Sequence, residues 1–214
     1  MASCGWAQVA KEANRDYNTK DGRTALITVL DGPDRSARQR PKELVESLGI
    51  KPGMTVVDLG TGPGFMLPYL SPAVGETGRI IAEDIQQDFL DRAQAKVRSE
   101  SLKNVVLIRG TERDPGLPGG AADLILVLDA YHHFDYPEKM LAALRAGLKP
   151  GGRLAIVEYH KKRGAMAGDP DRAMTHIRLP AEGVVQEVEA NGFHLLWRRD
   201  HMPESQYIAM FEMR

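Results

Sequence analysis

Short apolar runs alternate with amphipathic stretches along most of the chain. Thr55 to Asp58, Arg79 to Asp84, Val105 to Ile108, Asp123 to Asp129 and Leu154 to Val157 read as strands. The fourth of these is almost wholly apolar, as a strand covered on both faces must be. Phe89, Leu90, Ala93 and Val97 recur at helical spacing and predict an amphipathic helix over 86–99. Met140, Leu141 and Leu144 do the same for 137–147, and Lys149 to Gly152 reads as a turn into the fifth strand. Residues 161–179 keep no period and read as loop. A helix over Pro180 to Ala190 follows, then two strands, Phe193 to Trp197 and Tyr207 to Phe211, expected as an antiparallel pair. Strands alternating with helices at this spacing imply an α/β fold, a mainly parallel sheet with helices on both faces. Ligands of such sheets sit at the carboxyl ends of the strands.

The first fifty residues are different. They are polar, with short apolar helical faces at Ala7 to Ala13, Arg23 to Leu30 and Lys42 to Leu48. Pro41 suits a helix start and Gly49 a helix end. This predicts a helical lid or extension over 1–50 and a main domain over 51–214, together one structural unit, which a length of 214 residues suits.

Composition narrows the partners. The formal net charge is −1 with no long basic run, so no nucleic-acid partner is expected. No apolar stretch is long enough to span a bilayer, and no secretory signal is expected. The one cysteine, Cys4, excludes a disulfide within the chain and suits the cytoplasm. Met1-Ala2-Ser3-Cys4 could end a lipoprotein signal whose start was removed, but an ordinary start is the expectation.

The chemistry concentrates in VVDLGTGPG, residues 56–64. An apolar strand runs into Gly60, Gly62 and Gly64, with a helix expected from about Pro63. Glycines there allow positive φ and a close approach of ligand to backbone. A dinucleotide fingerprint needs its last glycine at position 65, which is Phe65. After the second strand stand Glu83 and Asp84. A carboxylate at that place can accept hydrogen bonds from two ribose hydroxyls. Successive strand residues face opposite ways, so one of the two is expected in the pocket, and Asp84 lies nearer the strand's end. Gly110-Thr111-Glu112 follow the third strand, and Asp129-Ala130-Tyr131-His132-His133-Phe134 follow the fourth.

These elements, in this order, resemble the class I S-adenosylmethionine-dependent methyltransferases, most closely over residues 53–158. The resemblance implies a Rossmann-like seven-stranded sheet of order 3-2-1-4-5-7-6 with strand 7 antiparallel, and S-adenosyl-L-methionine as cofactor. It places Asp58 and the backbone of Gly60, Gly62 and Gly64 around the methionine portion, Asp84 on the ribose and Ile85 on adenine. It places Thr111 and Glu112 near the adenine edge, and Asp129 and Ala130 at the methionine end. Many members carry an aspartate where this chain has Thr111. The run 112–134 is similar to a bacterial subgroup of small methyltransferases whose substrates are not defined, so the acceptor stays open.

Methyl transfer from a sulfonium chiefly needs alignment of the acceptor, and a base only when the acceptor must lose a proton. Candidate bases are Tyr131, His132 and His133, then Glu158, Tyr159 and His160, and His176; of these His133, His160 and Tyr131 are preferred. Several of these histidines with Glu158 could bind a divalent metal, but no tight ligand spacing such as H-E-x-x-H occurs, so none is expected. Tyr17, Gln39 and Arg40 could reach the cofactor or substrate from the lid, while Trp6 and Trp197 read as packing residues. The expected function is S-adenosylmethionine-dependent O-, N- or C-methylation of a small molecule. The alternatives are a non-catalytic protein binding that cofactor or its demethylated product, and an NAD-dependent oxidoreductase. Whether the chain forms a homodimer is left open.

Overall fold

A computed structural model describes residues 9–214; Cys4, Trp6 and Ala7 lie outside the described residues. Seven strands form one sheet: β1 (Thr55–Leu59), β2 (Arg79–Asp84), β3 (Val105–Arg109), β4 (Ala122–Leu128), β5 (Leu148–Tyr159), β6 (Phe193–Met202) and β7 (Gln206–Met213). Their order is β3-β2-β1-β4-β5-β7-β6, with β7 antiparallel to both neighbours and the other pairs parallel. This is the order the resemblance implied.

Alternate residues of the strands feed two cores. Val57, Leu59, Ile81, Ile125, Val127 and Ile156 pack on one side, beneath α6 (Pro137–Gly147) and α8 (Ala181–Ala190). Val56, Ile80, Ala82, Leu124, Leu126 and Val157 pack on the other, beneath α4 (Leu67–Val74) and α5 (Gln87–Ser99). Period-two alternation with both sets apolar explains why the central strands read as unbroken apolar runs. The turn expected at 149–152 is present as an irregularity within β5, where the pairing with β4 shifts between Ala122 and Leu124; Gly151 takes φ +76° there.

The amino-terminal region departs from its pattern in two ways. The expected first helix is absent over the described part of 7–13: residues 11–15 form turns that lead into a 3-10 turn at Asp16–Asn18. Tertiary bonds override the local periodicity, because Ala10 N donates to Asp135 Oδ1 (3.1 Å) and Asn14 Nδ2 donates to Asp135 Oδ2 and His133 O. Next come α1 (Lys20–Leu30), capped by the Thr19 hydroxyl on Gly22 N (3.0 Å), and α2 (Arg35–Gln39). α1 buries no residue and is tied to α5 by ion pairs, Arg23 with Asp88 (2.6 Å) and Asp31 with Arg92 and Lys96 (2.7 and 2.8 Å).

The third helix, α3 (Pro41–Leu48), is of another kind. Leu44 and Leu48 are fully buried in the same core as Val56, Leu67 and Leu70. α3 thus shares the core of the main sheet, and the cavity-lining residues of the amino-terminal region, Asn14, Tyr17, Asn18, Leu30 and Arg35, all precede it. Leu44→Ala should cost about 2–5 kcal/mol in denaturant unfolding, as a cavity in a packed core does. Val29→Ala on α1, whose side chain is exposed, should stay within about 0.5 kcal/mol.

Candidate functional site

β1 leaves the sheet through Gly60 (φ +71°), Gly62 (φ +56°) and Gly64 (φ +83°). Three left-handed positions in five residues cannot join a right-handed helix, so α4 begins at Leu67 rather than at Pro63. A Cβ on Gly60 would lie 2.8 Å from Ala130 Cβ, and one on Gly64 2.9 Å from Leu67 Cδ1 and 3.2 Å from Ala93 Cβ. The bend from β1 is thus pressed against the loop after β4. That loop starts at Asp129, itself left-handed at φ +51°, and continues in a 3-10 turn over Tyr131–His133.

Between these bends lies a cavity of about 970 Å³ including its open mouth. Its wall includes Gly60, Thr61 and Gly62 from β1's bend, Glu83, Asp84 and Ile85 from β2, Thr111 and Glu112 from β3, and Asp129, Ala130 and His133 from β4. Phe89, Phe134 and Met140 add apolar surface, and Asn14, Tyr17, Leu30 and Arg35 close it from the amino-terminal segment.

Of the raised carboxylates Glu83, Asp84 and Asp129 line it, while Asp58 stands behind the wall, bonded to the lining Thr61, and Gly64 is likewise outside the lining. Burial pushes Asp58 up to about 6, against the Thr61 hydroxyl that it accepts (2.6 Å) and the Arg35 charge. Asp84 is also pushed up to about 6 by burial, against backbone amides; its Oδ2 accepts from Gly62 N and its Oδ1 from Gln86 N, both at 2.9 Å. Asp129 rises to about 7, through burial and the neighbouring Glu158. Its oxygens accept from the side-chain amides of Gln39 (2.5 Å) and Gln206 (2.6 Å). Glu83 is raised well above the usual range by burial and by Asp84; one oxygen accepts weakly from Gly60 N (3.4 Å) and Oε1 is buried with no partner. Glu83 and Asp84 do leave β2 on opposite faces, yet both border the cavity, because it wraps the strand's end.

Arg35 is the cation set against this group. Its guanidinium stacks over Phe65 (4.3 Å) and donates to Leu30 O (2.9 Å). Sequence reasoning missed it, since nothing in the α2 pattern marks one arginine from its neighbours. Of the lid residues that were singled out, Tyr17 lines the cavity, packed on His133 (ring centroids 4.4 Å) and raised to about 12 by burial, Asp84 and Asp129. Gln39 holds Asp129, and Arg40 faces solvent beside Glu43.

The preferred bases are not brought together. His133 lines the cavity. His160 turns away from it, with Nε2 3.0 Å from Asp200 and its ring on Tyr207. Tyr131 is buried with its hydroxyl donating to Glu187 on α8 (2.6 Å). Thr111 spends its hydroxyl on the turn it sits in, donating to Asp114 O. Trp197 packs at the edge of the core with Arg199 over its ring.

Residues 57–154 match a family described as a methyltransferase domain. Over 171 residues the chain is 30% identical to the ubiquinone/menaquinone biosynthesis C-methyltransferase UbiE of Escherichia fergusonii, covering 78% of this chain and 68% of that protein. A crystal structure of an S-adenosylmethionine-dependent methyltransferase from Aquifex aeolicus superimposes with a TM-score of 0.79 at 31% identity, over 87% of this chain and 96% of that one. The chain belongs to the S-adenosylmethionine-dependent methyltransferases. The fold alone carries less: the [4+2]-cyclase SpnF shares it with a TM-score of 0.65 at 23% identity, over 77% of this chain and 61% of that one.

As in other members, S-adenosylmethionine is the cofactor. The residues here fit such a group. The bend leaves no room for a side chain at Gly60 and holds Gly62 left-handed, Glu83 Oε1 lacks a partner, and the wall combines apolar surface with carboxylates suited to a cation. Among the described residues no helix is long and apolar enough to cross a membrane.

A carboxyl raised by burial adds stability only while it is protonated; the advantage is lost as pH climbs through its folded pKa. Glu83→Gln should therefore stabilise the ligand-free methyltransferase by about 0.5–2 kcal/mol near pH 8. The gain should vanish near pH 4, where both forms are neutral. Thermal unfolding of variant and wild type at the two pH values reads the difference.

Proposed function

We propose that this methyltransferase moves the S-adenosylmethionine methyl group to a carbon, nitrogen or oxygen of a small molecule. The single observation that carries the proposal is one continuous cavity. It runs from Asp84 past Gly62 and Gly60 to Asp129 and His133, and the amino-terminal segment roofs it. In this reading Asp84 accepts from the ribose hydroxyls, its orientation fixed by two backbone amides. Ile85 packs on adenine, and Thr111 and Glu112 border the adenine edge. Asp58, Asp129 and Ala130, with the backbone of Gly60, Gly62 and Gly64, surround the methionine portion. Arg35 supplies the cation for its carboxylate.

The bound cofactor supplies a methyl group on an already activated sulfur leaving group. The chain's own work is alignment and exclusion of water, which Tyr17, Leu30 and Asn14 serve by covering the cavity. His133 is the candidate base. Burial and the neighbouring His132 and His176 hold its pKa well below the usual histidine range, so the ring is neutral at physiological pH.

A small acceptor is supported by the roofed cavity. The relative named as a ubiquinone/menaquinone C-methyltransferase directs the first screens to ring carbons of phenols and quinols. A net charge of −1 supports a reading without nucleic acid, and the lone cysteine suits a cytoplasmic setting. An NAD-dependent activity is disfavoured by Phe65, which fills the third glycine position and carries Arg35 on its ring.

Calorimetry with S-adenosylmethionine, S-adenosylhomocysteine and NAD tests the assignment. Both adenosyl compounds should bind and NAD should give no heat. Asp84→Ala should weaken S-adenosylmethionine binding by about 1–3 kcal/mol, the scale of lost hydrogen bonds to a charged group. A larger loss in Glu83→Gln than in Asp84→Ala would transfer the ribose role to Glu83.

A further inference from the structure

The tertiary fold assembles a cluster that no local spacing announces. His132 and His133 end the turn after β4, and His176 comes from α7 (Arg172–His176), more than forty residues later in the chain. One ring nitrogen from each lies within 4.8 Å of the others. Ring centroids are 4.1 Å apart for His132 and His133, 4.8 Å for His132 and His176, and 5.5 Å for His133 and His176.

The surroundings fix which nitrogens are free. Glu158 Oε2 lies 2.6 Å from His132 Nδ1 and also accepts from His132 N (3.2 Å), so Nδ1 is engaged by the carboxylate and Nε2 is the nitrogen left to face an ion. Asn14 donates both its amide hydrogens, to His133 O and Asp135 Oδ2, which leaves its Oδ1 to accept from His133 Nδ1 at 2.8 Å. Each of the two rings is thus oriented by an acceptor on Nδ1, the outer arrangement typical of metal-binding histidines.

We propose that His132, His133 and His176 bind one divalent transition metal of the zinc type, with an oxygen ligand in the fourth position. Tetrahedral bonds of about 2.05 Å set nitrogens about 3.3 Å apart. The rings must therefore close by at most about 1.5 Å from their present spacing. Three imidazoles select zinc, cobalt, nickel or iron over magnesium or calcium. His133 is shared with the cavity wall, so the ion sits beside the methyl-transfer site and, when bound, takes the ring nitrogen that a base would use, its Lewis acidity then replacing His133 in acidifying the acceptor. Resting on the methyltransferase reading, the acceptor this favours bears a hydroxyl or enol oxygen that can take the fourth position. The ion also pins α7, and with it the 161–179 segment, to the end of β4.

The test uses the full chain, stripped with a chelator and titrated with Co²⁺ and then Zn²⁺. Tetrahedral Co²⁺ absorption at a one-to-one ratio, displaced by Zn²⁺, is expected. His176→Ala should abolish it, Glu158→Gln should weaken binding about 10–100-fold, and Zn²⁺ should slow proteolysis within 161–179. Wild-type chain without the tetrahedral bands, or His176→Ala chain that keeps them, would overturn the site. S-adenosylmethionine calorimetry on the same wild-type sample is the separate arm: failure there removes the methyltransferase reading and leaves the metal site standing.

Discussion

The cost of burying negative charge governs this structure. Glu83, Asp84 and Asp129 line one cavity, with Asp58 buried behind its wall against Thr61 and Arg35 as the cation of the wall. Taking a carboxylate out of water without a full set of partners is expensive, and the group responds by holding its proton. All four are accordingly raised. Such an arrangement lowers the stability of the folded chain and persists where it serves a ligand. A sulfonium ion entering this cavity meets side chains that become more favourable once charged.

The backbone puts those charges in place through left-handed residues at two strand ends. Gly60 and Asp129 turn the chain sharply after β1 and β4, and Gly60 has no side chain because Ala130 occupies the space. On the β2 side of the first turn the peptide amides of Gly60 and Gly62 face Glu83 and Asp84. The sheet order places β1 and β4 side by side at the centre, where an open α/β sheet forms its crevice. Cofactor site and histidine cluster therefore share a wall, and His133 belongs to both.

Much of this was legible in the chain. The apolar runs gave the strands, because a strand covered on both faces has no polar side to confuse its period. The glycine spacing and the acids after β2 located the crevice. What stayed hidden depends on contacts between distant segments. The helix expected near residue 10 yields to Asp135, a partner 125 positions away. Arg35, Asn14 and Gln206 carry no local signature, and each matters only through what the fold sets beside it. His160 looked equivalent to His133 because both follow strands, but the ring of His160 turns to the β6–β7 pair. Which histidines meet was hidden for the same reason: the third member of the cluster comes from a five-residue helix inside a stretch that reads as loop.

The most direct measurement is the number of protons released when S-adenosylmethionine binds, obtained by calorimetry near pH 6 in buffers of different ionisation enthalpy. S-adenosylhomocysteine serves as the reference, since it shares the nucleoside and amino acid but lacks the positive sulfur. If raised carboxylates form a cation site, the sulfonium compound releases more protons than the thioether, and the excess shrinks as pH rises above 6 and Asp84 ionises in the free protein. Equal release by the two compounds at pH 6 would contradict the account.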